Sequence, residues 1–185
     1  MFDTKQTIPN LSSIPDVTGV IGMYAHGNEP VHHVAYLYNY AGQPWKTQAR
    51  TRQVATMLYT NTPGGICGND DCGQTSAWYV FTAMGFYPVD PVSGTYVLGS
   101  PLMDKLTLNL DKGRTFTVVA RNNSSGNPYI QSVTLNGKPL ERSWLSHAEI
   151  VAGGKLVMTM GPTPNKSFGM APAARIAPTP DFTVR

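Results

Sequence analysis

The sequence predicts a mixed α and β fold, helical to about residue 90 and antiparallel β from 91 to about 170. Apolar runs at 30–41, 44–59 and 74–84 have helical length; proline opens the first two, and glycine stops the first and third. After Pro88 and Pro91 the chain changes to short β-branched segments separated by turn residues. Between the second and third helical runs lies Gly64-Gly65-Ile66-Cys67-Gly68-Asn69-Asp70-Asp71-Cys72-Gly73-Gln74. Its glycines mark a shaped loop, and the elements on either side are organised to present its two adjacent carboxylates.

Composition narrows the possibilities. At 185 residues the chain can bury a substantial core as one domain or two small ones. Only 14% of residues are charged, with abundant aromatics, glycine and proline, which describes an ordered, loop-rich protein. The net charge of +3 has no basic run behind it. Lys46, Arg50 and Arg52 sit at helical spacing and read as a solvated face, which argues against a nucleic acid partner. No window of eighteen apolar residues exists, so no membrane span is expected. Met1-Phe2-Asp3-Thr4-Lys5 lacks a signal-peptide pattern, so an export signal would lie on sequence outside this stretch. Cys67 and Cys72 are too few for a zinc site; a short-loop disulfide and two free thiols both remain open.

Taken in order, residues 1–27 contain Pro9, Pro15 and Ser12-Ser13 and read as loop with at most one helical turn. They read as the middle of something larger. Pro30 is placed to open a helix through Val31 to Tyr40, with Gly42 as its stop. Pro44 opens a second, through Trp45 to about Tyr59, with Val54, Met57 and Leu58 on one face. Asp70 or Asp71 occupies the N-cap of the third helix, facing the positive end of its dipole, and Gly85 ends it after Met84. The short linkers pack consecutive helices antiparallel. The first and third runs are apolar almost all round, more than three helices bury among themselves. Exposed apolar faces, and self-association through them, are therefore expected. Strands are predicted at 95–98, 106–110, 115–119, 130–135 and 155–160, with Asn136-Gly137 as a primed hairpin turn. Residues 171–185 form an Ala/Pro-rich tail, extended or disordered.

The chemistry concentrates in the Asp-Asp loop and in a second polar loop, His26-Gly27-Asn28-Glu29-Pro30-Val31-His32-His33. An aspartate cap beside a solvated partner is the plain alternative for the first, a packed or surface histidine pair for the second. The blocks Gly27–His33, Tyr36–Gln48, Gly64-Gly65, Gly68–Gln74, Ser76–Tyr79, Gly85–Pro88 and Gly99–Pro101 together resemble glycoside hydrolase family 92, over about residues 17–169. That resemblance implies a calcium-dependent, inverting exo-α-mannosidase, many family members acting on α-1,2 links of mannose-containing glycans such as N-glycans. It implies a secreted, periplasmic or cell-surface location. The family architecture is a β-sandwich, then an (α/α)6 barrel, then β structure. Residues 1–90 would be the last helices of the barrel and 91–170 the antiparallel, sandwich-like β region.

The resemblance also assigns roles. Asp71 is the expected general base with Asp70 supporting it. Asn28 and Glu29, with His32 or His33 one turn on, are expected to hold the sugar, and Asn28, Glu29 and Asp71 the calcium (Ca2+). Trp78 has two readings, stacking on sugar or packing in the core, and so has Trp45. One departure matters: the family's general acid lies in a Glu-Gly-Asn motif that this sequence lacks. The chain alone is therefore expected to be inactive and to need the upstream part of a longer enzyme. The competing expectation is a non-catalytic carbohydrate-binding or structural β module whose loop holds calcium.

Overall fold

The computed structural model describes residues 1–5 and 17–176; Pro9, Ser12-Ser13 and Pro15, and the tail from 177, lie outside the described residues. Residues 17–27, expected as loop, instead hold a small hairpin of β1 (Val20–Ile21) and β2 (Tyr24–Ala25). Its turn glycine, Gly22, has φ +63° and passes so close to the chain start that a Cβ would lie 2.4 Å from the Met1 carbonyl oxygen.

The first predicted helix is present but broken. Glu29–Val31 and Val34–Tyr36 are 3₁₀ turns, and only Leu37–Tyr40 is α-helical (α1). Competition for carbonyls explains the break. The Tyr36 N–H bonds back to His33 O at 2.9 Å, which leaves His32 O to the Trp78 indole N–H at 2.9 Å. The Tyr36 carbonyl is likewise taken by the Thr47 hydroxyl at 3.4 Å. Side chains thus satisfy acceptors that a regular helix would reserve for amides four residues on.

Helix α2 (Pro44–Met57) begins at the expected proline, and its expected apolar face is met in part: Leu58, just past its end, packs on the helical core. Val54 is buried, while Met57 is 60% exposed. The rest of the inward face is Thr47, Gln48, Thr51, Arg52 and Ala55. Arg52, expected in solvent, is buried; its guanidinium donates to Ser100 Oγ at 3.0 Å, Pro101 O at 2.6 Å and Asn123 Oδ1 at 2.7 Å. Helix α3 (Gln74–Met84) matches its expected bounds and ends at Gly85, whose φ of +92° is the left-handed stop.

The β half contains β3 (Phe86–Asp90), β4 (Thr95–Leu98), β5 (Lys105–Asn109), β6 (Thr115–Arg121), β7 (Tyr129–Leu135), β8 (Lys138–Pro139), β9 (Trp144–Ser146), α4 (His147–Val151) and β10 (Gly154–Gly161). The five predicted strands are all present. Strand β3 escapes sequence reasoning because Pro88 argues against it; the register shift between Tyr87 and Asp90 accommodates the missing donor. The Asn136-Gly137 turn has both residues at positive φ, +51° and +79°, as a type I′ hairpin requires.

The strands form a three-stranded sheet, β3-β4-β9, and a five-stranded sheet, β5-β6-β10-β7-β8. The expectation of a purely antiparallel region needs correction, because β10 runs parallel to β6. After β8 the chain leaves the large sheet through β9 and α4. A capping box of Ser146 and Glu149 starts that helix. The chain then returns between β6 and β7, which run antiparallel to each other, so that β10 is parallel to one of them whichever way it runs. The two sheets share a core that includes Phe86, Leu98, Phe116, Ile130, Leu145, Leu156 and Met158. A second, helical core gathers Tyr24, Tyr36, Val54, Trp78, Tyr87 and Val97, and Phe81 borders both. Leu37, Tyr40 and Val80 stay exposed on the helical side. Among the described residues no helix is long and apolar enough to cross a membrane.

Polar side chains of α1 and α2 join the two cores. Asn39 donates to Leu98 O and Ser143 O, and the buried Gln48 accepts the Ile130 N–H at 3.0 Å. Replacing Gln48 with leucine would leave that strand amide buried and unpaired. Gln48→Leu is expected to lower the unfolding free energy by about 1–3 kcal/mol in urea titrations, despite the gain in side-chain hydrophobicity. An unchanged midpoint would mean that the amide finds another acceptor.

Candidate active site

Helix α3 starts at Gln74, and its N-cap position is Gly73, in the left-handed region at φ +78° with no side chain to offer. Asp70 supplies the cap from further back. Its carboxylate accepts the Ser76 hydroxyl at 2.6 Å and the Ser76 N–H at 2.9 Å. The Ser76 hydroxyl, then its amide, hold the Asp70 carboxyl below the usual carboxylate range. Asp71 follows, solvent-exposed, as the first residue of a single 3₁₀ turn, Asp71–Gly73. Cys72 within that turn sits at φ +53°, which a non-glycine residue rarely adopts.

The second polar loop is pressed against this one. Gly68, at φ +73°, crosses Gly27 so closely that a Cβ on Gly68 would lie 2.1 Å from the Gly27 carbonyl oxygen. A Cβ on Gly27 would in turn lie 3.2 Å from Gly68 Cα and 1.9 Å from Thr18 Oγ1. Backbone lies on backbone, which brings Asn28-Glu29 next to Asn69-Asp70-Asp71. The Thr75 hydroxyl fastens the acidic loop by donating to Asn69 O at 3.1 Å.

Behind the crossing stands a cage of aromatic and imidazole rings. His26 is fully buried, 4.4 Å from the Trp78 ring and 4.5 Å from that of His32. Its protons can be placed. The Tyr59 hydroxyl spends its proton on Thr75 O at 3.2 Å, so it accepts from His26 Nε2–H at 2.7 Å. That leaves His26 Nδ1 to accept the Tyr24 hydroxyl, also at 2.7 Å. His32 Nε2 faces the His26 carbonyl at 3.0 Å and must therefore carry its proton. Its Nδ1 then accepts the Gln74 amide at 3.4 Å, and the same amide nitrogen donates to the Tyr87 hydroxyl at 2.9 Å. Both imidazoles are neutral. Burial, with His32 adding repulsion, lowers the His26 pKa to about 3, and burial also lowers that of His32. Burial raises the Tyr24 and Tyr59 phenols.

Of the residues singled out from sequence, Asn28, His33, Asp70 and Asp71 face solvent and Glu29 is half-buried. His32 and Trp78 are buried in the cage, 1% and 0% exposed, so neither offers a ring face to solvent. His26, Tyr24, Tyr59, Gln74 and Tyr87 were not singled out. Their signals are positional only: His26 and Gln74 lie in the two polar loops, Tyr24 and Tyr59 a few residues outside them and Tyr87 in the block Gly85–Pro88, and buried hydrogen-bonded rings leave no spacing pattern that assigns them a role. Cys67 and Cys72 are free thiols. Among the described residues no three His, Cys, Asp or Glu side chains gather as a metal cluster. The oxygen donors nonetheless suit a hard cation. Glu29, next to Asn28 in sequence, holds a buried carboxylate oxygen, Oε1, with no hydrogen-bond partner, in a loop that crosses the one carrying Asp71.

Residues 1–162 match the profile of the glycosyl hydrolase family 92 catalytic domain. The chain is 42% identical, with a TM-score of 0.88, to the structure of the family GH92 alpha-mannosidase BT3965 from Bacteroides thetaiotaomicron in complex with mannoimidazole, over 95% of this chain and 23% of that one. It is 50% identical, with a TM-score of 0.79, to the family GH92 inverting mannosidase BT2199 of the same organism, over 84% of this chain and 21% of that one. A curated relative from Arthroderma benhamiae, described as an uncharacterized secreted glycosidase, is 36% identical over 138 residues, 73% of this chain and 18% of its own length. The chain thus spans about a fifth of the length of the relatives it matches.

The neutral cage makes stability depend on pH. Unfolded histidine takes a proton near pH 6.5, but folded His26 does so only at about 3. Between these values the unfolded chain binds more protons, so stability is full above about pH 6.5 and is lost as pH falls toward 3. From His26 alone, about 2 kcal/mol should disappear between pH 7 and pH 5. Urea midpoints across that range test this. A flat profile would mean that folded His26 charges at its ordinary pKa.

Proposed function

The chain belongs to glycosyl hydrolase family 92, and we propose that it carries the water-activating side of the active site of an inverting, exo-acting α-mannosidase. The substrates in this reading are terminal α-mannosides of glycans, α-1,2-linked ones of N-glycans foremost. The observation that supports it most is the Gly27–Gly68 crossing, which sets two oxygen-rich loops side by side at the start of α3.

Inversion needs one carboxylic acid at the leaving oxygen and one carboxylate to deprotonate water on the opposite face, roughly 6.5–9.5 Å apart. Adjacent aspartates diverge and cannot fill both posts. Asp70 binds Ser76 and fixes the turn, the supporting part in this reading, and Asp71, which is solvent-exposed, is the base that the family resemblance implies. Asn28 and His33 are exposed and in this reading meet sugar hydroxyls, while the buried His32 and Trp78 shape the wall from behind. Asn28, Glu29 and Asp71 would hold calcium, whose chemistry when bound is Lewis-acid contact with vicinal hydroxyls of mannose. The general acid comes from the part of a family 92 chain outside this sequence, so this stretch alone does not turn over. General acid catalysis typically contributes about 10²–10⁴-fold, and the remaining pocket wall is absent with it. In the same reading residues 1–90 close an (α/α)6 barrel, 91–170 form the β region packed on it, and 171–185 a tail, whose start departs from the extended or disordered expectation: Pro172–Ala174 is a 3₁₀ turn whose Ala174 carbonyl accepts the Trp144 indole N–H at 3.2 Å. The protein works outside the cytoplasm, as the description of the Arthroderma relative suggests.

Asp71→Asn, in this stretch joined to the preceding part of a family 92 chain, separates the roles. A lost base lowers kcat by about 10²–10⁴ with little change in KM. A mere cap would lose almost nothing, since asparagine caps about as well as aspartate. A mere calcium ligand would be restored by excess calcium, because a carboxamide oxygen still coordinates. Near-wild-type kcat, or full rescue by calcium, would overturn the assignment.

A further inference from the structure

A cavity of about 550 Å³ opens between the loop that follows α2 and the outer face of α3, and the site described above does not use it. Ser76, Tyr79 and Val80 of α3 form one wall, on neighbouring turns of one helical face. The opposite wall is Thr60–Gly65, closed on itself by Thr60 N–H to Gly65 O at 3.0 Å and Gly65 N–H to Thr62 O at 2.9 Å. A Cβ on Gly65 would lie 2.0 Å from Thr60 O, so only glycine lets this loop close. Tyr59 lies against Tyr79 at 4.7 Å between ring centroids and stacks nearly parallel on Trp78 at 5.8 Å. The cavity is therefore preformed on both sides, with its tyrosines backed by the cage.

The lining chemistry selects a ligand class. No charged residue lines the cavity among the described residues; Thr60, Asn61, Thr62 and Ser76 supply hydroxyls and a carboxamide. Tyr79 and the half-exposed Val80 supply an apolar face. A neutral ligand with many hydroxyls on one edge and C–H groups on a face fits that combination; an anion, a cation or a wholly apolar ligand does not. Ser76 also ties the cavity to the acidic turn, because the hydroxyl it contributes is the one bonded to Asp70.

We propose that this cavity is a second saccharide-binding site, holding a neutral sugar unit of the glycan beside the acidic turn. The inference rests on the glycan-processing reading above, yet the two fail separately. The experiment is an amide-resolved NMR titration of this chain with α-1,2-linked mannobiose at millimolar concentrations. Shifts at Thr62, Tyr79 and Val80 are expected, with Tyr79→Ala weakening them about tenfold and Tyr79→Phe retaining them. Asn61→Ala, on the exposed loop, gives a second route should the tyrosine variant fold poorly, and is expected to weaken binding severalfold. Shifts at Glu29 and Asp71 with none at Thr62 and Tyr79 would sink this proposal and leave the proposed function standing. Shifts at Thr62 and Tyr79 that neither Tyr79→Ala nor Asn61→Ala reduces would also sink it. So would protection of the Tyr79 and Val80 amides from exchange in a longer family 92 chain without sugar, since protein would then fill the cavity. Shifts at Thr62 and Tyr79 alone would support the second site and count against the placement of sugar at Asp71.

Discussion

Everything near the acidic turn depends on two glycines crossing without side chains. Where Gly68 crosses Gly27 the loops meet at a distance that admits no Cβ on Gly68, and both partners of the contact are peptide backbone that cannot swing aside. The contact fixes where Glu29 stands relative to Asp71 before any side chain is considered. Long flexible side chains reaching across a wider gap would cost rotamer entropy and leave the two loops free to slide. A backbone contact carries no such freedom, which suits a site whose donors must be held in place.

The cage behind the crossing completes the restraint by fixing each polar group as donor or acceptor toward each of its partners. Because the Tyr59 proton goes to Thr75 O, His26 must donate through Nε2; because His32 faces a carbonyl, Gln74 must be the donor at Nδ1. No member can reverse its role without leaving a buried group unpaired, so the network has one low-energy arrangement. It links the hairpin at Tyr24, the loop at 26–33, the start of α3 and strand β3 at Tyr87. Neutral imidazoles are the condition for this, and burial supplies it.

How far the sequence disclosed these features follows from their physics. Glycine stops, proline starts and the Asn-Gly turn act locally, so α2 and α3 and the predicted strands stand within a few residues of expectation. The broken first helix was not legible, because the agent that breaks it, the Trp78 indole, lies 46 residues away. Strand β3 was hidden by its own proline, and the parallel placement of β10 by the excursion through β9 and α4. The acidic turn and the polar loop were legible as compositions. Their meeting at Gly27 and Gly68 was not, since a glycine in a loop does not announce what it passes.

The polar inward face of α2 shows why the two cores behave as one body. An apolar helix face would bury well but would slide on the sheet. Gln48, Thr51 and Arg52 instead give directional bonds, and two of them reach the β half at Ile130, Ser100 and Pro101. Buried polar contacts contribute modestly to net stability and strongly to uniqueness, since every alternative arrangement strands a donor. Trp78 and Tyr87, in the helical core, are tied respectively to His32 and Gln74. The register of α2 on the sheet is thus passed, through rigid packing and paired donors, to the acidic turn at the head of α3. The β half then contributes to the site less through the one group it supplies, the Tyr87 hydroxyl of β3, than by holding still the elements that carry the rest.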